Sequence, residues 1–293
     1  MNRVKSIVLN EKAESMGLTG KGITVAIVDS GISEHKDLMD RVLFFKDYIN
    51  GRNSLYDDNG HGTHVAGIVG GNGYQSEGKI KGMAPKCSFV VLKVLDELGN
   101  GKTEYALEAL EWIQEHHVEY QIRLLNFSLG FVSDSSAREQ QLIMEKLNQL
   151  WELGVMVVTV AGNKGPKEGS VAVPGISRRV LTVGSVEENG REALQAETKY
   201  SGRGPTLCCI VKPEVLAPGS NIISCDAFSG GYIRKTGTSM SAPIVTGALA
   251  LGMEYLPRLL PKDWKLRLYY RSKKGASNSQ SWGLLQVDKL LGL

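Results

Sequence analysis

Two stretches of this chain, Ile23-Thr24-Val25-Ala26-Ile27-Val28 and Val155 to Val160, are apolar and β-prone with no polar residue at every second place, and Ser88 to Leu95 and Ile122 to Ser128 also read as strands. A strand with one wet face alternates apolar and polar residues; an unbroken run needs apolar cover on both faces, as in the interior of a parallel sheet. Between and after these runs the spacing turns helical. Thr103 to His117 places Tyr105, Leu107, Leu110, Trp112 and Ile113 as its apolar positions, and Ser136 to Leu153 and Ser239 to Tyr255 also read as helices. Arg179 to Ser185 and Pro213 to Ala217 are shorter strand candidates, and Lys262 to Arg271 a last amphipathic helix. Strands alternating with helices predict an α/β fold: a doubly wound, mostly parallel sheet with helices on both faces. No linker, repeat or low-complexity stretch divides the chain, so residues 1–293 are expected to form a single domain.

Bulk properties exclude several classes. Hydrophobic residues make up 42% of the 293, ample for a core, and a net charge of +3 is too small to argue for nucleic acid or membrane partners. The apolar stretch from Ala242 to Met253 is interrupted by Pro243 and Gly247 and is too short to span a bilayer. Met1-Asn2-Arg3-Val4-Lys5 is not followed by an apolar signal core, so neither a secretory signal nor a folding pro-segment is expected. Four cysteines, Cys87, Cys208, Cys209 and Cys225, are too few to staple a chain of this size, and the adjacent pair would bridge only with strain. Free thiols in a reducing cytoplasm fit this usage.

Chemistry concentrates in three motifs. The first strand ends in Asp29-Ser30-Gly31, which puts a carboxylate at the C-terminal edge of the sheet, where open α/β folds build their sites. Next comes Asn59-Gly60-His61-Gly62-Thr63-His64-Val65-Ala66-Gly67, a glycine-flanked histidine entering a helix of small residues. Far downstream, Gly237-Thr238-Ser239-Met240-Ser241-Ala242-Pro243 presents a serine at the start of the most apolar helix. A serine hydroxyl is a weak nucleophile at neutral pH and needs a base in reach and donors for the oxyanion it creates. A helix N-terminus supplies free N–H groups and a partial positive charge. Acid, histidine and serine in this order form one known chain order of an Asp-His-Ser triad.

These motifs resemble those of the subtilases, the subtilisin-like serine peptidases, over about Gly20 to Leu291. Five linking blocks match in order: Gly82-Met83-Ala84-Pro85, Asn126 to Gly130, Ala161 to Pro166, Ser201 to Pro205 and Leu216 to Gly219. Gly78 to Gly82, Ala172 to Ser177 and Lys212 to Gly219 look like the intracellular AprX-type branch of the family. The resemblance implies a subtilisin-like fold and a serine endopeptidase. Asp29 would orient His61, His61 would serve Ser239 as base, and Asn163 would join the Ser239 N–H in the oxyanion hole. A protein or peptide substrate would bind extended along Ser128, Leu129 and Gly130 and along Val160, Ala161 and Gly162. Two positions depart from the family: Phe131 stands where many relatives carry Gly and would crowd the subsites, and Lys164 would tilt the pocket rim toward acidic or neutral residues.

Several alternatives stay open at this stage. Lys164 is equally a solvated surface lysine. The fold is also compatible with a transpeptidase or macrocyclase, and with a catalytically silent peptide-binding homologue. Phe131, the loop Gly70 to Lys81 and the N-terminal residues are candidates to narrow the cleft and give a restricted, maturation-type specificity. No cofactor is required. Asp37 matches a calcium-ligand position of secreted subtilisins, but Gly71 to Gly78 does not match their ligand loop, so that site is expected to be absent and a different structural cation is left open. His61 and His64 share a helical face, yet no glutamate follows His61 and no third ligand is evident, so no metal is assigned there. His35, His116 and His117 read as surface or packing residues.

Overall fold

The structure, a computed structural model, describes residues 1–129, 136–186, 198–206, 209–274 and 281–293. Seven strands form one parallel sheet in the order β2-β3-β1-β4-β5-β6-β7. They are β1 (Thr24–Asp29), β2 (Val42–Asp47), β3 (Ser88–Lys93), β4 (Ile122–Phe127), β5 (Met156–Val160), β6 (Leu181–Val186) and β7 (Val215–Pro218). The unbroken runs take the place their composition requires. Val25 and Ile27 of β1, Phe89 and Val91 of β3, and Met156 and Val158 of β5 point into one core. Ala26 and Val28, Val90 and Leu92, and Val157 point into another on the opposite face. The period of two along a strand thus feeds two cores at once.

Helices cover both faces. The first core holds α3 (His61–Gly70) and α6 (Thr238–Tyr255); the second holds α4 (Thr103–His116) and α5 (Ala137–Glu152). Fifteen of the 18 residues of α6 are buried, which is why its sequence is apolar all round. Helix α5 starts with a capping box in which Ser136 and Glu139 satisfy each other's end groups.

Six elements escape the sequence reading: short helices α1 (Asn2–Ile7), α2 (Glu11–Ser15) and α8 (Val287–Leu291), edge strand β2, and the hairpin strands β8 (Ile222–Cys225) and β9 (Tyr232–Lys235). The expected helix over Lys262 to Arg271 is α7 (Pro261–Arg271). β2 lies at the sheet edge with Leu43 exposed, so it lacks the buried-strand signature. Helices α1 and α2 are tied to α8: Val287 and Asp288 donate backbone N–H groups to Val8 and Leu9, and the Asp288 carboxylate accepts from Lys12 N and Ala13 N. The Glu254 carboxylate, near the end of α6, accepts from Thr19 N and Gly20 N.

Candidate active site

Asp29 closes β1 with its side chain fully buried, and His61 opens α3. Asp29 Oδ1 lies 2.7 Å from His61 Nδ1 and also accepts the Ser30 N–H at 2.8 Å. A carboxylate can only accept here, so the Nδ1 proton belongs to the imidazole and Nε2 keeps its lone pair. The His61 side chain is 24% exposed, enough to meet a substrate. Burial works against the imidazolium, but the Asp29 charge and hydrogen bond outweigh it and hold the His61 pKa above 6.5.

Two features keep this pair aligned. A Cβ on Gly62 would fall 2.2 Å from the Gly31 carbonyl oxygen, so the helix can approach the Asp29 turn this closely only with glycine there. The second was not singled out from the sequence. The buried Asp57 carboxylate accepts from Ser30 Oγ, Asn59 N, Gly60 N, Thr63 N and Thr63 Oγ1, while Ser30 Oγ accepts the Gly62 N–H. It therefore stitches the Asp29 turn to the first turn of α3, and those bonds pull the Asp57 pKa below its ordinary value against the effect of burial. An aspartate a few residues ahead of a helix is a capping signal that could have revealed it. Lys93, fully buried at the end of β3, donates to Ser30 O, Leu95 O and Asp58 Oδ1 and supports the same turn.

Ser239 is the second residue of α6 and is partly exposed. Asn163 follows β5 and reaches the start of that helix, where its Oδ1 accepts from Thr238 N and Thr238 Oγ1, both at 3.0 Å. Those two bonds fix the amide orientation and leave Nδ2 as a donor. A Cβ built on Gly237 would sit 3.3 Å from Asn163 Nδ2 and 3.8 Å from Ser239 N, so both donors border one small space that the missing side chain leaves open. The His61 helix meets the C-terminal end of β1, and Asn163 joins the Ser239 helix to the end of β5. The two strands flank β4, so their C-terminal ends lie on one sheet edge roughly 10 Å apart, each with one of the two helix starts beside it.

Ser128 and Leu129 follow β4, and Ala161 and Gly162 continue from Val160 of β5. Asn126 anchors the first segment, donating from Nδ2 to Ser128 Oγ and accepting from Thr246 Oγ1 of α6. The second is pinned by Ala161 N to Val183 O and by Gly202 N to Gly162 O. Gly130 and Phe131 lie outside the described residues. Lys164 is exposed and has no ion-pair partner among the described residues.

Two of the expected cleft-narrowing segments are elsewhere. The 71–81 loop follows Gly70, at the end of α3 opposite His61, roughly 15 Å along a ten-residue helix. There Asn72 N and Gln75 N bind Asp37. The N-terminal segment docks on α8 and on Glu254, which lies at the other end of α6 from Ser239, and its first residues line a cavity with Lys79 of that loop.

His64 does not point at the pair. It is buried, and its Nε2 donates to both Ile222 O and Ile233 O, pinning the β8–β9 hairpin to α3. Burial, then the nearby charges of Lys235 and His61, lower its pKa to about 4, so it stays neutral. His35 is buried as a packing residue, donating to Gly231 O. With Asp37 and Cys225 it makes a group whose donor atoms lie within 4.8 Å of one another. Those donors are already committed. Asp37 accepts from Gln75 N and Tyr232 Oη, and His35 Nδ1 accepts from Asp37 N. Arg41 donates to the Asp37 carbonyl. A thiol and a neighbouring guanidinium do not fit calcium, which takes oxygen ligands. Cys87, Cys209 and Cys225 are unpaired thiols.

The subtilase family model matches residues 20–283. Serine protease AprX of Bacillus subtilis (strain 168) is 37% identical over 267 residues, covering 85% of this chain and 60% of AprX. A thermostable alkaline protease of Halalkalibacterium halodurans is 33% identical over 84% of this chain and 61% of its own length. Subtilisin Savinase of Lederbergia lenta is 34% identical, covering 82% of this chain and 79% of Savinase. This chain thus spans about three fifths of the first two relatives. Among solved structures, S41 psychrophilic protease and sphericase each match with a TM-score of 0.83 at 28% identity, covering 97% of both chains.

Proposed function

The chain belongs to the subtilase family, and we propose that it is a serine endopeptidase working through Asp29, His61, Ser239 and Asn163. The observation that carries this reading is the 2.7 Å contact between buried Asp29 and His61 Nδ1, which leaves Nε2 as a base on the sheet edge shared with Ser239. In the reaction, Nε2 takes the Ser239 proton as Oγ attacks the peptide carbonyl, and Asp29 stabilises the imidazolium so formed. Asn163 Nδ2 and the Ser239 N–H hold the developing oxyanion. The imidazolium then protonates the departing amine. Water, deprotonated by the same nitrogen, resolves the acyl-enzyme and restores the Ser239 hydroxyl.

Substrate recognition is assigned to the segments flanking this point. Ser128, Leu129 and Gly130 on one side and Val160, Ala161 and Gly162 on the other would add the substrate backbone as an extended strand. Phe131 and exposed Lys164 would restrict what enters, giving a maturation-type enzyme. Three unpaired thiols support a reducing, intracellular setting. Among the described residues no helix is long and apolar enough to cross a membrane.

Purified protein and a Ser239→Ala control, offered a proteome-derived peptide library, test the proposal. Cleavage with addition of one water, together with fluorophosphonate labelling of Ser239, is the expected result. Ligated or cyclised products, or absence of labelling, would overturn it. Cell fractionation tests the location, and a soluble cytoplasmic pool is expected.

A further inference from the structure

Two side chains that the triad does not use converge on Gly60, the residue before His61. Lys235, at the end of β9 and four residues ahead of Ser239, is half-buried and donates from Nζ to Gly60 O at 2.9 Å. The edge of the Phe228 ring lies against the same glycine, 3.1 Å from where its Cβ would be. Phe228 is 71% exposed, yet it is not loose. It sits in the turn between β8 and β9, where the Asp226 carboxylate accepts from Phe228 N, Ser229 N and Ser229 Oγ. An exposed aromatic on a fixed turn offers contact area with little ordering cost.

The Lys235 ammonium has one acceptor, Gly60 O, and no carboxylate within ion-pair distance among the described residues. Asp29, Asp57 and Asp58, the acids that serve the His61 turn, are occupied by His61, by five donors and by Lys93 respectively. The Lys235 charge reaches Asp226 in the Phe228 turn, whose pKa it helps to lower, but no carboxylate pairs with it directly, so a half-buried cation here favours an anion from outside. The direction of the cleft follows from the chemistry. Asn163 and the β5 segment hold the acyl side, and His61 must meet the departing nitrogen, so the leaving segment runs past the Gly60 turn.

Resting on the protease reading above, we propose that Lys235 and Phe228 form the recognition site for the substrate residues just after the cleaved bond, selecting an acidic residue together with an aromatic or apolar one. The test uses full-length protein and peptides identical before the cleaved bond but varied in the two positions after it. An ester with the same acyl part and a methanol leaving group serves as reference. Wild type should prefer Asp or Glu over Lys by about fivefold in kcat/KM, the size of a partly exposed ion pair. Lys235→Gln should bring that ratio to within twofold, and Lys235→Glu should reverse it. Phe228→Ala should cut the preference for Phe over Gly by about threefold.

A structural role for Lys235 would slow every peptide alike and leave the ratio standing, so an unchanged ratio in Lys235→Glu overturns the proposal. Ester hydrolysis by wild type without discrimination after the bond overturns it as well and leaves the protease reading intact. Failure to hydrolyse ester and peptides alike, with no fluorophosphonate labelling, overturns both.

Discussion

The proposed mechanism gives Asn163 two jobs, one for each side-chain heteroatom, so two substitutions should pull them apart. Its Oδ1 accepts two hydrogen bonds from Thr238 at 3.0 Å each, and its Nδ2 faces the space beside Ser239 N. Asn163→Ala removes both kinds of contact. Two net hydrogen bonds at a half-exposed site are worth about 1 kcal/mol each, so Tm should fall by about 4 °C. Asn163→Asp keeps the shape and the oxygen that accepts both bonds, and a carboxylate at a helix N-terminus is favourable by about 0.3–1 kcal/mol. Its Tm should therefore equal or exceed that of wild type. Turnover should move the other way. Loss of such a donor costs about 10²–10³ in kcat, a figure drawn from a subtilisin and so from this family, not from these distances. The aspartate adds a negative charge where the oxyanion forms, so Asn163→Asp should be the slower variant, by at least about 10³. The assay pairs kcat on a chromogenic peptide with thermal unfolding. An Asn163→Asp enzyme within tenfold of wild-type kcat would refute the oxyanion assignment.

Other expectations are briefer. Because Asp29 raises the His61 pKa and the base must be neutral to act, kcat/KM should rise with pH through a midpoint above 6.5; a midpoint below that value contradicts the pairing. The stability term has the opposite sign: the raised pKa adds stability below 6.5 that is lost as pH climbs through the folded value. Gly62→Ala, with its Cβ 2.2 Å from Gly31 O, must push α3 from the Asp29 turn. It should cost about 1–3 kcal/mol together with a drop in kcat, and a wild-type Tm would refute the steric argument. Glu254→Ala strips the acceptor from Thr19 N and Gly20 N at the far end of α6. Hydrogen exchange should accelerate over residues 1–20 while kcat stays within twofold.

Much of the fold was legible because burial on both faces leaves a mark in composition. β1, β3, β4 and β5 lie within a residue or two of their apolar runs, and α6 was recognisable as a fully buried helix. What escaped has a common cause. β2 is half-exposed and carries no continuous run, and the β8 and β9 strands are four residues each, too short for a period to register. Helices α1, α2 and α8 are equally short and hold together through one another: their caps come from Asp288 and from paired backbone groups across more than 270 residues. Local propensity cannot foresee a partner that distant.

The site divides along the same line. Asp29, His61, Asn163 and Ser239 stand out because each sits where a strand ends or a helix begins, and glycine beside a polar residue at such a junction is visible in the sequence. Their supports do not stand out, since they act through geometry that only folding creates. Asp57 reads as one acid in an acidic pair until its five donors are counted, and Lys93 as the polar end of a strand until its burial is seen. Lys235 reads as a surface charge until its ammonium is found on the carbonyl before His61. Reactive groups are dictated by chemistry and so recur as residue types, whereas the groups that aim them are dictated by distance. The second kind is where this chain can differ from its relatives while keeping the same reaction, so the proposed selection after the cleaved bond belongs to the turn from Asp226 to Gly231 and to Lys235, not to the triad.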